Sequence, residues 1–389
     1  MHQKRIDPSY LKLTLKELVE CNTQTGTRSD LPMISLLTRK CEEIGMKTET
    51  FPTRLNPNKV NFVAYFTKAK HTIVLSSHFD TVPIGDKSEW KHPPLTTTEI
   101  LEENGDITIF GRGTSDMKGG IASQLAVLKY LHEKTSPILP SILLVVSCEE
   151  EDGVVGAKEL VEAHPELFES VKLVLVDEPT NLDIGMSEKG ELRVLMKCRG
   201  IAAHASTPNL GVNAINGMID LIQTVSHSLP LSCDTSNQTT LSLGMIKGGS
   251  APNVVADYCE AVVDIRTSSF VTTEEIEAII RMAVATLHKT TRFVYEIEFQ
   301  GRVESVHTDV TNQYVVGLAR SSDLVLGKNR IKKMAYATDG AAFSRTQAKP
   351  TVIIFGPGDE QVIHKVNERI SFSNLKSASE VLLTFLQQL

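Results

Sequence analysis

Four short, almost wholly apolar segments constrain the fold more than any other feature of the sequence. They are HTIVLSS at 71–77, SILLVVS at 141–147, VKLVLV at 171–176 and TVIIF at 351–355. Continuous apolar runs of this length are typical of strands buried on both faces, as in a parallel sheet. Helical patterns occur over 10–21, 30–45 and 117–134. We therefore predict an α/β fold, with a mostly parallel sheet and helices on both faces.

The segment 187–300 has a different pattern. Its stretches ELRVLMKCRG and ADYCEAVVDIRT alternate polar and apolar residues, which favours half-exposed antiparallel strands. Helical patterns occur nearby at 211–228 and 273–288. We predict an α+β domain over 187–300, inserted into a domain formed by 1–186 and 301–389. The length of 389 residues also makes two domains the default.

Composition and charge limit the class of protein. The formal charge of −7 argues against a general affinity for nucleic acid, and no apolar run is long enough to span a membrane. The N-terminal pattern predicts an amphipathic helix and not a secretory signal. We therefore expect a cytoplasmic protein. The scattered cysteines, expected to be reduced thiols, are Cys21, Cys41, Cys148, Cys198, Cys233 and Cys259.

Acidic and imidazole side chains follow each of the four apolar runs. In chain order they are His78 and Asp80, then Glu149, Glu150 and Glu151, then Asp177 and Glu178, and finally His364. Asp116 lies in GRGTSDMKGG, at the start of the predicted helix 117–134. Because the carboxyl ends of parallel strands meet at one edge of a sheet, we expect these groups to lie together.

Each of these residues also has a simpler explanation. His78 alone would be a surface or core histidine, the acidic run after 147 a solvated segment, and Asp116 a helix N-cap. The occurrence of such groups at the same end of all four strands favours a shared site. Imidazole and carboxylate ligands without thiolate suit a hydrolytic zinc or cobalt centre with open coordination positions.

The motifs that carry these residues resemble a known family. HFDTVP, GRGTSDMKGG, EEEDGVVGAK, DEPT and GPG…HKVNE are similar, in this order, to the signature segments of the two-zinc aminoacylase and peptidase family. Its members include acetylornithine deacetylase, succinyl-diaminopimelate desuccinylase, aminoacylase and glutamate carboxypeptidase. The resemblance extends over the whole chain, because GIAAHASTPNLGVNAI and GGSAPNVVADYCEAVVDIR in the inserted domain also fit.

The resemblance implies two Zn²⁺ per chain, with Co²⁺ or Mn²⁺ as substitutes. His78 and Glu178 would hold one ion, Glu151 and His364 the other, and Asp116 would bridge both. The peptide bond after Asp116 would be cis.

Two of these assignments leave an alternative open. The run of three glutamates makes the register ambiguous by one residue. In the family that the motifs resemble, the ligand glutamate usually lies five residues before a glycine, and Gly156 in that place implies Glu151 as the ligand. Glu150 is then the general base, because a ligand cannot also accept the proton. In DEPT, Asp177 stands where the family has a neutral residue, and it remains an alternative to Glu178 as the ligand.

The resemblance also implies roles outside the ligand set. Asp80 would orient His78 by accepting its second ring N–H. His204 would stabilise the oxyanion, usually from the partner subunit. Asn253 and Arg266 would bind substrate, and a structural salt bridge is the alternative for Arg266.

These roles imply hydrolysis of an amide bond, in which a water shared by two metal ions attacks the carbonyl and Glu150 is the general base. We expect an N-acyl amino acid such as acetylornithine as the substrate, because the compact length and SEKG at 187–190 favour a deacylase. A di- or tripeptidase or a carboxypeptidase is the alternative. A catalytically silent binding protein is disfavoured, because Glu150 and every ligand are present. We expect a homodimer through the inserted domain, and no nucleic-acid or membrane partner.

Overall fold

The computed structural model describes residues 6–68, 70–230 and 238–389. The chain divides into two compact units, each with its own hydrophobic core. The first unit runs to Ser187 and resumes at Thr308–Lys332 and Thr338–Leu389. The second unit consists of Glu188–His307 and Lys333–Ala337.

Helices and strands of both units are numbered in chain order. The α-helices in the described ranges are α1 (Pro8–Glu20), α2 (Leu31–Glu43), α3 (Gly119–Glu133), α4 (Val155–Ala163), α5 (Ala214–Ser228), α6 (Thr273–Thr290), α7 (Gln313–Leu326), α8 (Gly340–Ser344) and α9 (Phe372–Leu386). The strands in the same ranges are β1 (Lys47–Pro52), β2 (Val60–Tyr65), β3 (Ile73–His78), β4 (Thr98–Leu101), β5 (Ile107–Phe110), β6 (Ile142–Ser147), β7 (Leu173–Val176), β8 (Ile184–Glu188), β9 (Gly190–Arg199), β10 (Thr240–Gly248), β11 (Tyr258–Thr267), β12 (Val294–Val303), β13 (Val306–His307), β14 (Ile331–Lys333), β15 (Thr351–Ile354) and β16 (Arg369–Ser371).

None of the helices in the described ranges combines the length and apolar character needed to cross a bilayer. The cytoplasmic location stays a prediction. Cysteines with free thiols are Cys21, Cys41, Cys148, Cys198 and Cys259. Cys233 lies outside the described residues.

The central sheet of the first unit contains the strands in the order β1-β2-β6-β3-β7-β15-β8. The four apolar runs of the sequence form β3, β6, β7 and β15, and these neighbours are parallel to one another. The prediction of an α/β fold with a mostly parallel central sheet is therefore confirmed. The flanking pairs β1–β2, β2–β6 and β15–β8 are antiparallel, which the sequence did not predict.

Helices cover both faces of this sheet, which explains why its central strands are apolar throughout. Leu75 and Leu144 belong to the core that includes residues of α1, α2, α3, α7 and α9. The intervening Val74 and Val145 are equally buried but belong to the other face, because side chains alternate along a strand. There α4 contacts β2, and α8 contacts β7 and β15.

The turn before α3 differs from the prediction of a helix over 117–134. Asp116 (φ −127°, ψ 95°) and Met117 (φ −131°, ψ 34°) have non-helical backbone angles, and α3 begins at Gly119. The Asp116–Met117 peptide bond is cis, as the resemblance implied. A Cβ added to Gly120 would lie 2.5 Å from the carbonyl oxygen of Asp177, so this glycine lets α3 approach the residue that follows β7.

The second unit is built on an antiparallel sheet with the strand order β10-β11-β9-β12. Burial alternates residue by residue along β11, as the sequence pattern indicated. The apolar faces of α5 and α6 pack with β9 and β11 in the core of this unit. The predicted boundary at residue 300 falls inside β12, which pairs with β9 as far as Val303 and Glu191.

Candidate metal centre

Imidazole and carboxylate side chains meet at the edge where the parallel strands of the first unit end. His78 is the last residue of β3, Glu150 and Glu151 follow β6, and Glu178 follows β7. His364 lies in the segment after β15, and Asp116 lies in the turn before α3. The order of the parallel strands therefore gathers residues that are up to 286 positions apart in the sequence, from His78 to His364.

The carboxylate of Asp116 lies between the two imidazoles. Its Oδ1 is 3.3 Å from His78 Nε2, and its Oδ2 is 3.1 Å from His364 Nε2. Glu178 Oε1 lies 3.6 Å from His78 Nε2, and Glu151 Oε2 lies 3.1 Å from His364 Nε2. The cluster thus has two halves, each with one imidazole and one glutamate, and Asp116 belongs to both.

Glu150 lies on the His78 side of the cluster. Its Oε2 is 4.0 Å from His78 Nε2, which is farther than the nearest oxygens of Asp116 and Glu178. One possible ligand atom from each of His78, Glu150 and Glu178 lies within 4.8 Å of the others. His78, Asp116 and Glu151 form a second such group. Glu149 belongs to neither group among the described residues, so the run of three glutamates contributes its second and third members to the site.

Burial governs the charges of the carboxyl groups. Burial raises the pKa of Glu150 and of Glu178 well above the usual value, and burial together with the charge of Asp116 raises the pKa of Glu151. For Asp116 burial acts in the same direction, but hydrogen bonds from His364 and His78 outweigh it and lower the pKa. A buried group of this many carboxylates is stabilised by nearby positive charge.

The acidic neighbours have the opposite effect on the imidazoles. Burial opposes protonation of His78, but the charge of Glu178 and the hydrogen bonds with Asp116 and Asp80 outweigh it and raise the pKa. Hydrogen bonds with Asp116 and Glu151 raise the pKa of His364 to about 10. The same nitrogen and oxygen atoms that share protons here are the ones that ligate divalent cations, so the donor set fits metal ions.

Comparison with known proteins agrees with this geometry. The model of peptidase family M20/M25/M40 matches residues 74–388. The chain belongs to this peptidase family. It is a metallohydrolase that acts on linear amide or peptide bonds, and the family predicted from the motifs is confirmed.

Relatives of this M20 family protein match it along nearly the whole chain. An acetylornithine deacetylase from Pectobacterium atrosepticum is 27% identical over 390 residues, which is 96% of this chain and 94% of the relative. The aminopeptidase PepT from Bacillus cereus has a similar structure, with a TM-score of 0.78, 22% identity and 99% coverage of both chains. An M20 metallo-carboxypeptidase from Sulfolobus solfataricus has a TM-score of 0.79 and 19% identity, with 97% and 98% coverage.

Asp80 contacts more of this M20 site than the sequence suggested. His78 Nδ1 lies 3.0 Å from the backbone carbonyl oxygen of Asp80 and 3.5 Å from its Oδ1, so the closer acceptor is the carbonyl and not the carboxylate. The carboxylate oxygens instead accept the backbone N–H groups of Glu150 at 3.2 Å and Glu151 at 3.1 Å. Asp80 therefore holds both the imidazole and the segment that carries the two glutamates.

Asp177, the alternative ligand, lies outside the cluster. It is buried, its Oδ2 has no hydrogen-bond partner among the described residues, and burial raises the pKa of this carboxyl well above its usual value. Glu178, in contrast, contacts His78. Asp177 belongs to neither group of possible metal ligands among the described residues.

Two buried carboxyl groups near the cluster were missed by the sequence reasoning. Asp339, just before α8, accepts a hydrogen bond from the hydroxyl of Ser147, the last residue of β6. Burial raises the pKa of Asp339 to about 7. Glu368 is fully buried, four residues after His364. Both lie in or beside short polar motifs, TDG at 338–340 and HKVNE at 364–368, and this was the available signal.

Of the predicted site residues, His204, Asn253 and Arg266 lie in the second unit. His204 forms a β-bridge with Val254, and the carbonyl of Asn253 accepts the N–H of Ala205 at 3.0 Å, so His204 and Asn253 lie on adjacent backbone segments. The N–H of Ser206 donates to His204 Nδ1 at 3.1 Å. The neutral ring therefore carries its proton on Nε2.

Arg266 is bound by two carboxylates of its own sheet. Its Nε and Nη2 donate to Asp264 at 2.8 and 3.2 Å, and its Nη1 lies 2.9 Å from Glu191 Oε2. The salt bridge that the sequence left open as an alternative is therefore present. Substrate binding by Arg266 and Asn253 stays a prediction.

Proposed function

We propose that this protein is a two-metal deacylase that hydrolyses the amide bond of an N-acyl amino acid. The observation that carries the proposal is the carboxylate of Asp116 between two imidazoles, with one glutamate in each half of the cluster. His78 and Glu178 would hold one cation, Glu151 and His364 the other, and Asp116 would bridge them. Zn²⁺ suits this donor set, and Co²⁺ or Mn²⁺ would be substitutes.

The proposal gives each side chain of the cluster a role. Two bound cations would lower the pKa of a shared water and polarise the carbonyl of the substrate. Glu150 Oε2 would take the proton of the attacking water and deliver it to the nitrogen of the leaving amine. We assign Glu150 the role of base and not of ligand, and its greater distance from His78 Nε2 supports this assignment.

Deacylation is supported by the relative described as an acetylornithine deacetylase, which matches 96% of this chain. The peptidase alternative rests on the family as a whole, since the similar aminopeptidase and carboxypeptidase structures share the fold at low sequence identity. Both reactions need the same metal centre. They differ in the group attached to the scissile carbonyl, so substrates must distinguish them.

The proposal is tested by metal analysis followed by a substrate panel. We expect the purified protein to bind two Zn²⁺ per chain and a chelator to abolish its activity. In assays of acetylornithine, succinyl-diaminopimelate, N-acetylmethionine and a set of dipeptides, kcat/KM is expected to be highest for one of the N-acyl amino acids. A higher kcat/KM for a dipeptide would replace the deacylase with the peptidase. Full activity after removal of all metal would refute both.

We further infer that the second unit forms a homodimer. Its strand β10 is an edge strand whose residues are mostly exposed, including Met245 at 69% and Ile246 at 50%. An edge strand leaves backbone N–H and C=O groups unpaired, and apolar side chains on it favour coverage by another chain. Pairing of β10 with the same strand of a second copy, about a two-fold axis, would satisfy these backbone groups and cover these apolar side chains.

His204 is proposed to act at the metal centre of the partner subunit. Its Nε2–H would donate a hydrogen bond to the carbonyl oxygen as negative charge develops there, and Asn253 beside it would contact the substrate. We expect His204→Ala to lower kcat about 10²- to 10³-fold, as the loss of an oxyanion donor does in other hydrolases. Metal content is expected to be unchanged, because His204 is not a proposed ligand.

A mixed dimer tests whether His204 acts across subunits. His204→Ala and Glu150→Gln are each expected to be nearly inactive alone. In a mixed dimer, the site that contains Glu150 would receive His204 from the other chain, so equal co-expression should restore about a quarter of the activity. No restoration, or a protein that has the 42.7 kDa mass of a single chain in light scattering, would contradict this proposal.

A further inference from the structure

Glu368 binds the backbone of the turn that carries the bridging carboxylate. Its side chain is completely buried, with 0% exposed surface. Oε1 accepts the backbone N–H groups of Ser115 at 2.9 Å and Asp116 at 3.1 Å, and Oε2 accepts that of Gly113 at 3.0 Å. One carboxylate therefore holds three N–H groups of a turn 252 residues away in the sequence, including that of Asp116 itself.

Arg112 supplies a fourth donor and a positive charge. Its Nη1 donates to Glu368 Oε2 at 2.7 Å, and its Nη2 donates to the carbonyl of Pro83 at 3.1 Å. The guanidinium also lies over the ring of Trp90, 5.2 Å from its centroid. Each oxygen of Glu368 thus accepts two hydrogen bonds, so the four donors together surround the carboxyl group.

The segment that carries His364 contacts the same turn at further points. The hydroxyl of Ser115 donates to the carbonyl of Arg369 at 2.7 Å and accepts the N–H of Asp359 at 3.2 Å. Asp359 and Arg369 lie on either side of His364 in the sequence. The hydroxyl of Ser115 therefore joins the turn to backbone groups on both sides of His364, and the buried side chain of Glu368 adds a second connection between the two segments.

We propose that Glu368 is a positioning residue that sets the relation between Asp116 and His364, and thereby the affinity of the site for metal ions. It acts through the backbone of the turn and does not belong to the proposed ligand set. The inference rests on the proposed two-metal function. It adds a residue whose effect reaches both cations, because Asp116 belongs to both halves of the cluster.

Two substitutions of Glu368 test the charge and the length of its side chain separately. In Glu368→Gln the side chain keeps its size, but its amide group presents N–H donors where two of the four donors already point. In Glu368→Asp the charge is kept, but the side chain is one methylene shorter and cannot reach all four donors in the same geometry. The matched control is Glu360→Gln, which removes a charge from an exposed glutamate of the same segment that pairs with Lys332.

The test is titration of the metal-free proteins with Zn²⁺, together with assays at limiting and excess Zn²⁺. For Glu368→Gln we expect the Kd for Zn²⁺ to rise about 10- to 100-fold, as it does when a residue that supports a ligand is lost. Activity at limiting Zn²⁺ should fall and recover at least partly in excess Zn²⁺, with KM unchanged. Glu360→Gln should match the natural protein in both measurements.

Thermal unfolding of the metal-free proteins distinguishes a merely structural role, which would lower Tm and leave the Kd unchanged. That outcome overturns the inference. If Glu368→Gln does not fold, Glu368→Asp is measured in its place. A Kd for Zn²⁺ equal to that of the natural protein in Glu368→Asp would also overturn the inference. Failure of the natural protein to bind Zn²⁺ would instead refute the proposed function, so the two failures are distinguishable.

Discussion

Glu150→Gln is expected to retain both metal ions and to lose most of its turnover. The amide has the size of the carboxylate but cannot take the proton of the attacking water. Because Glu150 lies farther from His78 than Asp116 and Glu178 do, its loss should leave the ligand set complete. We expect kcat to fall about 10²- to 10⁴-fold, the usual contribution of a general base. Steady-state kinetics and metal analysis of the same sample measure both effects.

Glu149→Gln is the matched control for this substitution. It removes the same charge from the preceding residue of the same run, and Glu149 contributes to neither group of possible ligands among the described residues. Its turnover should stay close to that of the natural protein. Normal turnover of Glu150→Gln would remove Glu150 from the mechanism, and loss of a metal ion from it would make Glu150 a ligand instead.

Asp116→Asn is expected to weaken the binding of both metal ions together. The two carboxylate oxygens of Asp116 face different imidazoles, whereas an amide has only one oxygen to offer. Loss of a residue that only supports a ligand typically lowers metal affinity about 10- to 100-fold. Loss of this proposed shared ligand should lower it by at least as much. Turnover should fall in parallel, because the proposed reaction needs both cations. Metal content after dialysis and kcat measured on the same sample provide the test.

Asp177→Asn provides a control of the same chemistry. Asp177 is also buried and follows a strand, but it belongs to neither group of possible ligands among the described residues. Replacing its carboxyl with an amide of the same size should therefore leave metal content and turnover nearly unchanged. If Asp116→Asn loses a single metal ion and keeps the other at natural affinity, Asp116 is a terminal ligand and does not bridge.

The residues of the cluster could be predicted because their positions follow from strand order. β3, β6 and β7 are visible as apolar runs, and each is followed within four residues by an imidazole or carboxylate. Since parallel strands end at one edge, side chains at these points must lie near one another whatever the loops do. His364 is different, because nine residues separate it from β15, so its position after the fourth apolar run does not by itself bring it to this edge. The resemblance of the motif around it supplied its proposed role.

The contacts that support the cluster could not be predicted in the same way. The carboxylate of Asp80 holds the N–H groups of Glu150 and Glu151, and that of Glu368 holds N–H groups of the turn at Asp116. Every residue except proline has a backbone N–H group. The sequence therefore does not show which of these groups will donate a hydrogen bond to a distant carboxylate. The salt bridges of Arg266 depend in the same way on neighbours supplied by the sheet register.

By itself, the sequence determined the parallel arrangement of the central strands and the edge of the sheet at which the functional groups gather. These features depend on local patterns and on the alternation of side chains, which a single chain displays directly. Only the tertiary structure decided that Asp116 lies between His78 and His364, that Asp177 is buried outside the cluster, and that Glu368 ties two ligand segments together. Such relations arise from packing and hydrogen bonds between segments that are distant in the sequence, as Asp116 is from His364 and Glu368, and their geometry exists only once the chain is folded.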